Sequence, residues 1–256
     1  MAFLALAYGF NLLKEVTSML YAFSAFLAYF VKGLCGFANT LVFSSILSFW
    51  QDNIYITPID LPLSLISNLL LVFHDHKALS VKIWGSGAFF MILGIIPGTF
   101  FLKAGDPALI KIILGFLTMG LALQMLLKKK SAGGAGSALS HALIAILAGF
   151  ISGLLGIGAL ISIYMARVTN SLEAFRGNLS LLFIMTNLFR FAIYIRTGIL
   201  TAETFNISLT LVPFMLAGLL GGTMLSSRLG GTLVRRVIIF FLLLSGVALV
   251  VTNLHI

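Results

Sequence analysis

The chain of 256 residues is too apolar for a soluble domain: 60% of its residues are hydrophobic, 9% are charged, and its mean hydropathy is +1.14. So few charges could not cover the surface of a water-soluble protein of this size, and the composition predicts an integral membrane protein. The net charge of +9 does not indicate nucleic-acid binding, because the basic residues stand between apolar segments, where they orient the chain in a lipid bilayer.

Eight apolar segments follow one another, and their length favours membrane helices over the alternating strands of a barrel. They lie at about residues 16–50, 59–74, 84–102, 107–127, 141–166, 177–196, 205–227 and 233–252. A polar stretch rich in Lys, Gly and Ser separates the fourth segment from the fifth. The chain is therefore predicted to contain an N-terminal repeat (1–127), a cytoplasmic linker (128–140) and a C-terminal repeat (141–256).

The first segment of each repeat contains a glycine cluster. Gly33 and Gly36 correspond to Gly153 and Gly156, and Gly158 follows in the second cluster. Each glycine weakens a helix by about 1 kcal/mol relative to alanine. In lipid, a broken backbone persists only where protein or water covers it, and transporters place binding sites at such breaks. Both first segments are therefore predicted to be broken or re-entrant.

Further matches support a duplication. The run from Gly94 to Thr99 corresponds to Gly218 to Thr223, and both runs contain a G-x-x-x-G pattern. The patterns Gly94-x-x-x-Gly98 and Gly218-x-x-x-Gly222 are predicted to be packing faces, not sites.

The distribution of basic residues predicts the topology. If all eight segments span the membrane, seven basic residues lie on each side, whereas re-entrant first segments divide them ten to four. The second division has the asymmetry that the positive-inside rule requires. It predicts an all-α polytopic protein of two inverted repeats, with both termini outside and the linker in the cytoplasm.

Two basic residues, Lys32 and Arg190, lie well inside apolar segments, where a charge costs at least ~2.5–3.5 kcal/mol. No carboxylate is expected at a similar depth, because the acidic residues are assigned to loops or segment ends. The pair therefore predicts a positive pocket for a small anion, which an arginine can hold through two hydrogen bonds. Alternatively, Lys32 extends to the membrane interface, and Arg190 binds carbonyl groups at a helix end.

Polar side chains and the two breaks complete the predicted pocket. Asn187, Arg190 and Tyr194 share one helix face, and Thr186 is one turn from Arg190. Helix starts beyond the breaks would direct backbone N–H groups into the same space. The predicted substrate-binding residues are Arg190, Asn187, Thr186, Tyr194, Asn68, Ser67, Asn39, Lys32, Gly36, Gly156 and Gly158. For each Ser, Thr or Asn, the alternative is a hydrogen bond between helices.

Several stretches together resemble the TauE/SafE sulfite exporter family. They are the run from Thr57 to Asn68, the loop from His74 to Lys77, the run from Gly94 to Gly98, the run from Asp106 to Lys111, the glycine breaks, and the run from Tyr194 to Gly198. The resemblance implies a carrier of sulfur-containing anions, such as sulfite and organosulfonates, in the bacterial cytoplasmic (inner) membrane.

These observations predict a secondary transporter that exports a small sulfur-containing anion by alternating access. No catalytic residue, metal or cofactor is predicted, and coupling to protons is left open, as are the coupling ion and the oligomeric state. The chain has no G-x-x-x-x-G-K-[ST] motif, which disfavours direct ATP coupling. His74-Asp75-His76 offers too few ligands in a short basic loop to favour a metal site.

Two other function classes are considered. An anion channel is the alternative, and kinetics would separate it from a carrier. An intramembrane enzyme is disfavoured, because every histidine lies near a segment end and no carboxylate is expected at depth.

Overall fold

The computed structural model describes residues 2–74, 76, 79–127, 138–158, 160–162, 165, 169, 171–226 and 231–254. This part of the chain is helical and contains no strand, as the composition predicts. Its helices are α1 (Ala2–Cys35), α2 (Asn39–Leu47), α3 (Asn53–His74), α4 (Val81–Ala104), α5 (Pro107–Leu127), α6 (Ala138–Leu155), α7 (Leu172–Thr197), α8 (Ala202–Ser226) and α9 (Gly231–Leu254). Most of the predicted linker, residues 128–137, and Asp75 and Lys77 of the histidine loop lie outside the described residues.

Five described segments are long and apolar enough to cross a bilayer. They are Thr17–Cys35, Asn53–His74, Gly87–Ala104, Glu173–Thr197 and Ala202–Ser226. Shorter apolar stretches occur in α5, α6 and α9, at Pro107–Leu123, Ala142–Leu155 and Leu243–Leu254. Helices suit this environment because they satisfy their backbone hydrogen bonds internally.

The first predicted break lies between α1 and α2. Gly36 and Ala38 have φ angles of 86° and 73°, in the left-handed region that glycine tolerates best. Gly33, by contrast, lies within α1, so the break begins only after Cys35. The prediction of a broken first segment is confirmed for this half.

The contacts of α2 show that the chain turns back at this break. Tyr29 bonds to Asp60, and Lys32, one turn later, bonds to Ser67 further along α3, so α1 and α3 run in the same direction. At the start of α2, Asn39 contacts Asp60, and just after its end Ser48 bonds to Asn53. Therefore α2 runs against α3 and returns the chain toward the beginning of α3.

The second predicted break follows Leu155, the last residue of α6. Gly156 has a φ angle of 76°, and a new helical bond begins where the Ser162 amide donates to the Gly158 carbonyl at 3.2 Å. Gly153 was grouped with this break from the sequence, but it lies within α6. A Cβ at Gly153 would overlap the Ile95 carbonyl oxygen, so this glycine permits close packing against α4.

Glycine faces join the two halves of the chain. A Cβ at Gly94 or Gly98 of α4 would overlap the carbonyl oxygen of Ile146 or Phe150 of α6. The predicted packing role of these glycines is confirmed. Because both positions advance together along the two helices, α4 and α6 run parallel.

The equivalent face in the other half behaves in the same way. A Cβ at Gly218 or Gly222 of α8 would overlap the carbonyl oxygen of Phe26 or Phe30 of α1. The first long helix of each half thus packs in parallel against the third apolar segment of the other half. Helix α5 also packs on α9, and α3 packs on α7.

Contacts at the helix ends define two groups of loops. Lys103 at the end of α4 donates to the Thr197 carbonyl at the end of α7, at 2.7 Å. At the opposite ends of these helices, the Ser80 amide donates to Asn178 Oδ1, also at 2.7 Å. Helices α4 and α7 therefore run parallel, as in the arrangement with re-entrant first segments. The inversion of the two halves across the membrane stays a prediction.

Candidate functional site

Lys32 lies in the last turn of α1 and is only 1% exposed. Its Nζ atom donates to Ser67 Oγ at 2.8 Å and to Asn68 Oδ1 at 2.7 Å. The ammonium group also lies 5.7 Å from the centre of the Tyr29 ring, within the range of a cation–π contact. Lys32 is thus held inside the helix bundle by two predicted site residues, and it does not extend to an interface.

One turn away, a carboxylate is buried among hydrogen-bond donors. Asp60 is 0% exposed and accepts from the Tyr29 hydroxyl at 2.8 Å and from Ser64 Oγ at 3.2 Å. Thr40 Oγ1, at the start of α2, donates to Asp60 Oδ2. Asn39 Nδ2 lies 3.3 Å from Oδ2 and donates to Ser64 Oγ at 2.6 Å. The carboxylate therefore joins α1, α2 and α3 at the first break.

The burial of Asp60 corrects the expectation that no carboxylate lies deep in the membrane. The hydropathy pattern places the start of this apolar segment near residue 59, so that Asp60 falls at its edge. Helix α3 begins instead at Asn53 and contains Pro58 and Pro62. Transmembrane helices tolerate proline because neighbouring side chains satisfy the backbone groups that it frees.

Arg190 of α7 lies beside the second break. It is 1% exposed, and its Nη1 atom donates to the Ser152 carbonyl, in the last turn of α6, at 2.7 Å. Nearby, the Tyr194 hydroxyl donates to the Gly153 carbonyl at 3.1 Å. The guanidinium therefore binds a helix-end carbonyl, the alternative considered from the sequence. Its Nε atom is buried without a hydrogen-bond partner in the described part of the chain.

The two halves meet where the breaks face each other. A Cβ built on Gly156 would lie 2.8 Å from the Thr40 methyl group and 3.0 Å from Arg190 Nη1. Gly156 thus separates the Asp60 cluster on one side from the guanidinium on the other. Because glycine has no side chain, Thr40 of the first break and Arg190 at the second break can both lie close to its backbone.

The remaining predicted residues have different surroundings. Asn187 is 6% exposed on the face of α7 that carries Arg190, whereas the Thr186 hydroxyl donates to the Leu182 carbonyl of its own helix at 3.0 Å. A Cβ at Gly36 would meet the side chain of Arg176, and one at Gly158 would overlap the Phe183 ring. These last two glycines permit local packing at the breaks.

Sequence reasoning missed Asp60, Tyr29 and Thr40 as members of the cluster. A signal was present, because Asp60, Ser64, Ser67 and Asn68 have the spacing of one helix face. A segment start near residue 59 places Asp60 at the end of the segment and separates it from this face. Chemically, the breaks bring together three buried cationic side chains, Lys32, Arg176 and Arg190, and the Asp60 carboxylate, so the cluster is positive when all four are ionised.

Residues 21–249 match the family described as sulfite exporter TauE/SafE. The chain belongs to the sulfite exporter TauE/SafE family. No curated protein and no solved structure matches the chain. Membership in the TauE/SafE family makes this an integral membrane protein of a transporter type whose family description names sulfite as cargo.

Proposed function

We propose that this TauE/SafE family member is a secondary transporter that exports a small sulfur-containing anion, such as sulfite or an organosulfonate, by alternating access. It acts in the bacterial cytoplasmic membrane. The anion binds between the two helix breaks, where Arg190 and Lys32 supply positive charge. The burial of both cationic side chains at the junction of the halves is the observation that carries this proposal.

The guanidinium supports the choice of an anion as ligand. Arg190 uses Nη1 for the Ser152 carbonyl, while its buried Nε has no hydrogen-bond partner in the described part of the chain. A buried donor without a partner costs free energy, and an oxyanion beside the guanidinium would satisfy it. Asn187, on the same face of α7, adds an amide that can donate to a second oxygen.

The packing of the halves supports alternating access. Each first helix packs in parallel against the third apolar segment of the other half, and this packing supports a carrier site between the two breaks. Inverted repeats with discontinuous helices at the midplane are a recurrent transporter architecture. Rocking one half against the other would expose the breaks to each side in turn.

Thermal unfolding of purified protein tests the ligand. We expect sulfite, thiosulfate or a sulfonate to raise the unfolding temperature, whereas acetate does not. A ligand at a hundred times its Kd stabilises the folded state by about 2.7 kcal/mol. Stabilisation by acetate alone, or by none of these anions, would contradict the proposed substrate class.

Arg190→Ala tests the residue. It should abolish the anion-dependent stabilisation and lower the stability of the anion-free protein by about 1.5–3 kcal/mol, the usual contribution of a hydrogen bond to a charged group. Arg196→Ala, which removes an exposed arginine of the same helix, is the control and should respond to the anion like the wild type. An unchanged response in Arg190→Ala would refute the role of this residue.

Flux in proteoliposomes separates a carrier from a channel. A carrier should saturate at low anion concentration and show counterflow, because each transport cycle moves a bound anion. Flux that rises linearly with concentration, without counterflow, would identify an anion channel instead.

A further inference from the structure

We infer that Asp60 is a proton-binding site, and that its protonation strengthens anion binding at the adjacent helix breaks. This inference rests on the proposed function, because it assigns a coupling ion to the same site. When Asp60 takes up a proton, its carboxylate becomes neutral, and the anion pocket loses one negative charge.

The first support is the position of the carboxylate. Asp60 is 0% exposed and lies about two turns inside the N-terminal end of α3, a helix long enough to span the membrane. A charged side chain at this depth is costly, and ionisable residues within membrane segments commonly mark ion pathways and proton relays. The cationic side chain of Lys32, on α1, donates to Ser67 and Asn68, and it acts on Asp60 only through the longer-range attraction between the two charges.

The second support is the set of charges around Asp60. Helix α1 contributes Tyr29, Lys32 and the Cys35 thiol, and α7 contributes Arg176 beside Gly36, and Arg190 and Tyr194 across Gly156. Helix α2, over Asn39–Leu47, contains no ionisable residue. Helix α8 contributes only Glu203, which is exposed in its first turn. Helices α4 and α5 carry lysines at their ends, and Lys111 is paired with Asp52 at 2.8 Å.

These charges give the direction of the coupling. With Asp60 ionised, Lys32, Arg176, Arg190 and the carboxylate together carry two net positive charges. Protonation raises this to three, and the attraction for an anion increases. By linkage, an anion bound beside Arg190 must in turn favour the protonated form of Asp60.

The surrounding groups favour a proton over a metal cation. Tyr29, Thr40 and Ser64 contact the carboxylate through hydroxyl groups, which can either donate or accept a hydrogen bond. When Asp60 takes a proton from water, a new O–H bond forms, and a hydroxyl can rotate to accept from it. Asn39 directs its amide nitrogen at the carboxylate, where a cation would require an oxygen.

Thr40 provides the link to the second half. Its hydroxyl donates to Asp60, and its methyl group lies beside Gly156, which is adjacent to the Arg190 guanidinium. A change in the hydrogen bonding of Asp60 therefore acts on the residue at which the two breaks touch.

Isothermal titration calorimetry of the purified full-length protein tests the inference. Thiosulfate and methanesulfonate are suitable probes, because their own charge is constant from mildly acidic to mildly alkaline pH. Titrations in buffers with different ionisation enthalpies give the protons taken up per anion bound. We expect uptake of up to about one proton per anion, and an affinity that rises on the order of tenfold as the pH falls.

Asp60→Asn should bind without proton uptake, with an affinity that no longer depends on pH, because the neutral amide resembles the protonated acid. Asp60→Glu should retain the uptake. Asp52→Asn, which removes a carboxylate at the protein surface, is the matched control and should behave like the wild type.

Each outcome separates the two proposals. If the wild type binds an anion without proton uptake, the inference about Asp60 is overturned while the anion site stands, whatever the folding of the variants. Retained proton uptake in Asp60→Asn would also overturn the inference about Asp60. So would a loss of anion binding when choline replaces sodium in the buffer, because sodium would then be the coupling ion. If neither probe binds at all, the proposed anion site itself fails.

Discussion

At the scale of single residues, the protein buries charge where the chain is broken. Lys32, Asp60 and Arg190 are each at most 1% exposed. Removing an ion from water costs several kcal/mol even after the protein relaxes, so each of these side chains needs strong compensation. Each has it, as Lys32 bonds to α3, Asp60 to a group of hydroxyls, and Arg190 to the end of α6. The breaks contribute to this compensation, because Thr40 at the start of α2 donates to Asp60 and the Ser152 carbonyl at the end of α6 accepts from Arg190.

Gly156 allows a prediction at this scale. Gly156→Ala should abolish anion binding, because the new methyl group would lie 2.8 Å from Thr40 and 3.0 Å from Arg190. It should also destabilise the fold by more than the ~1–2 kcal/mol that an L-residue loses in a left-handed conformation. Thermal unfolding with and without thiosulfate measures both effects.

Gly198→Ala is the matched control for Gly156→Ala. Gly198 has a φ angle of 72°, but open space surrounds the position of its missing Cβ. This variant should therefore lose stability through backbone strain alone and keep its response to the anion. Equal behaviour of the two variants would show that Gly156 has no steric role at the site.

At the scale of helices, close backbone packing assembles the bundle. Membrane helices gain little from hydrophobic burial, because lipid is as apolar as the protein interior, so small residues at the interfaces provide van der Waals contact. Gly94 and Gly98 bring α4 against α6, and Gly218 and Gly222 bring α8 against α1. These two interfaces fix the positions of the helices that end at the breaks.

The α4–α6 interface gives a second prediction. Gly98→Leu should destabilise the folded protein by about 3 kcal/mol or more, because its side chain meets backbone, which cannot relax as a side chain does. Gly120→Leu, at an exposed glycine of α5 with open space around it, should instead gain helix propensity. Unfolding in detergent distinguishes the two variants, and equal stability would contradict the packing role of Gly98.

At the scale of the whole molecule, the loops fall into two groups. One group contains the α4–α5 and α7–α8 connections, joined by the bond between Lys103 and the Thr197 carbonyl. The other contains the starts of α4 and α7, joined by Ser80 and Asn178. Because α4 and α7 each contain a segment long enough to cross a bilayer, the proposed inverted topology predicts that these two groups lie on opposite sides of the membrane.

Sided labelling tests this arrangement in cells that produce the protein. With the single cysteine removed by Cys35→Ala, new cysteines are introduced as Asp106→Cys, Thr201→Cys, His76→Cys and Ser171→Cys, all at exposed positions. An impermeant maleimide should label the first two in intact cells and the last two only after permeabilisation. Labelling of positions 106 and 201 from opposite sides would instead support eight full spans and overturn the inverted topology.

The sequence alone was sufficient for the features that depend on local composition. It gave the membrane class, the helical segments, the glycine packing faces and the break in each first segment, because apolar length and glycine content act within a single helix. The positions of Lys32 and Arg190 were also apparent, since a basic residue within an apolar segment is conspicuous.

The tertiary structure decided which of these residues come together. The return of α2 along α3 places Thr40 and Asn39 on Asp60, and the packing of the halves places Gly156 between Thr40 and Arg190. The spacing from Asp60 to Asn68 indicates a polar helix face, but only the packing of α1 and α2 against that face shows that the carboxylate is buried. Local sequence specifies the propensity of each segment, whereas the environment of a buried charge depends on helices distant in sequence.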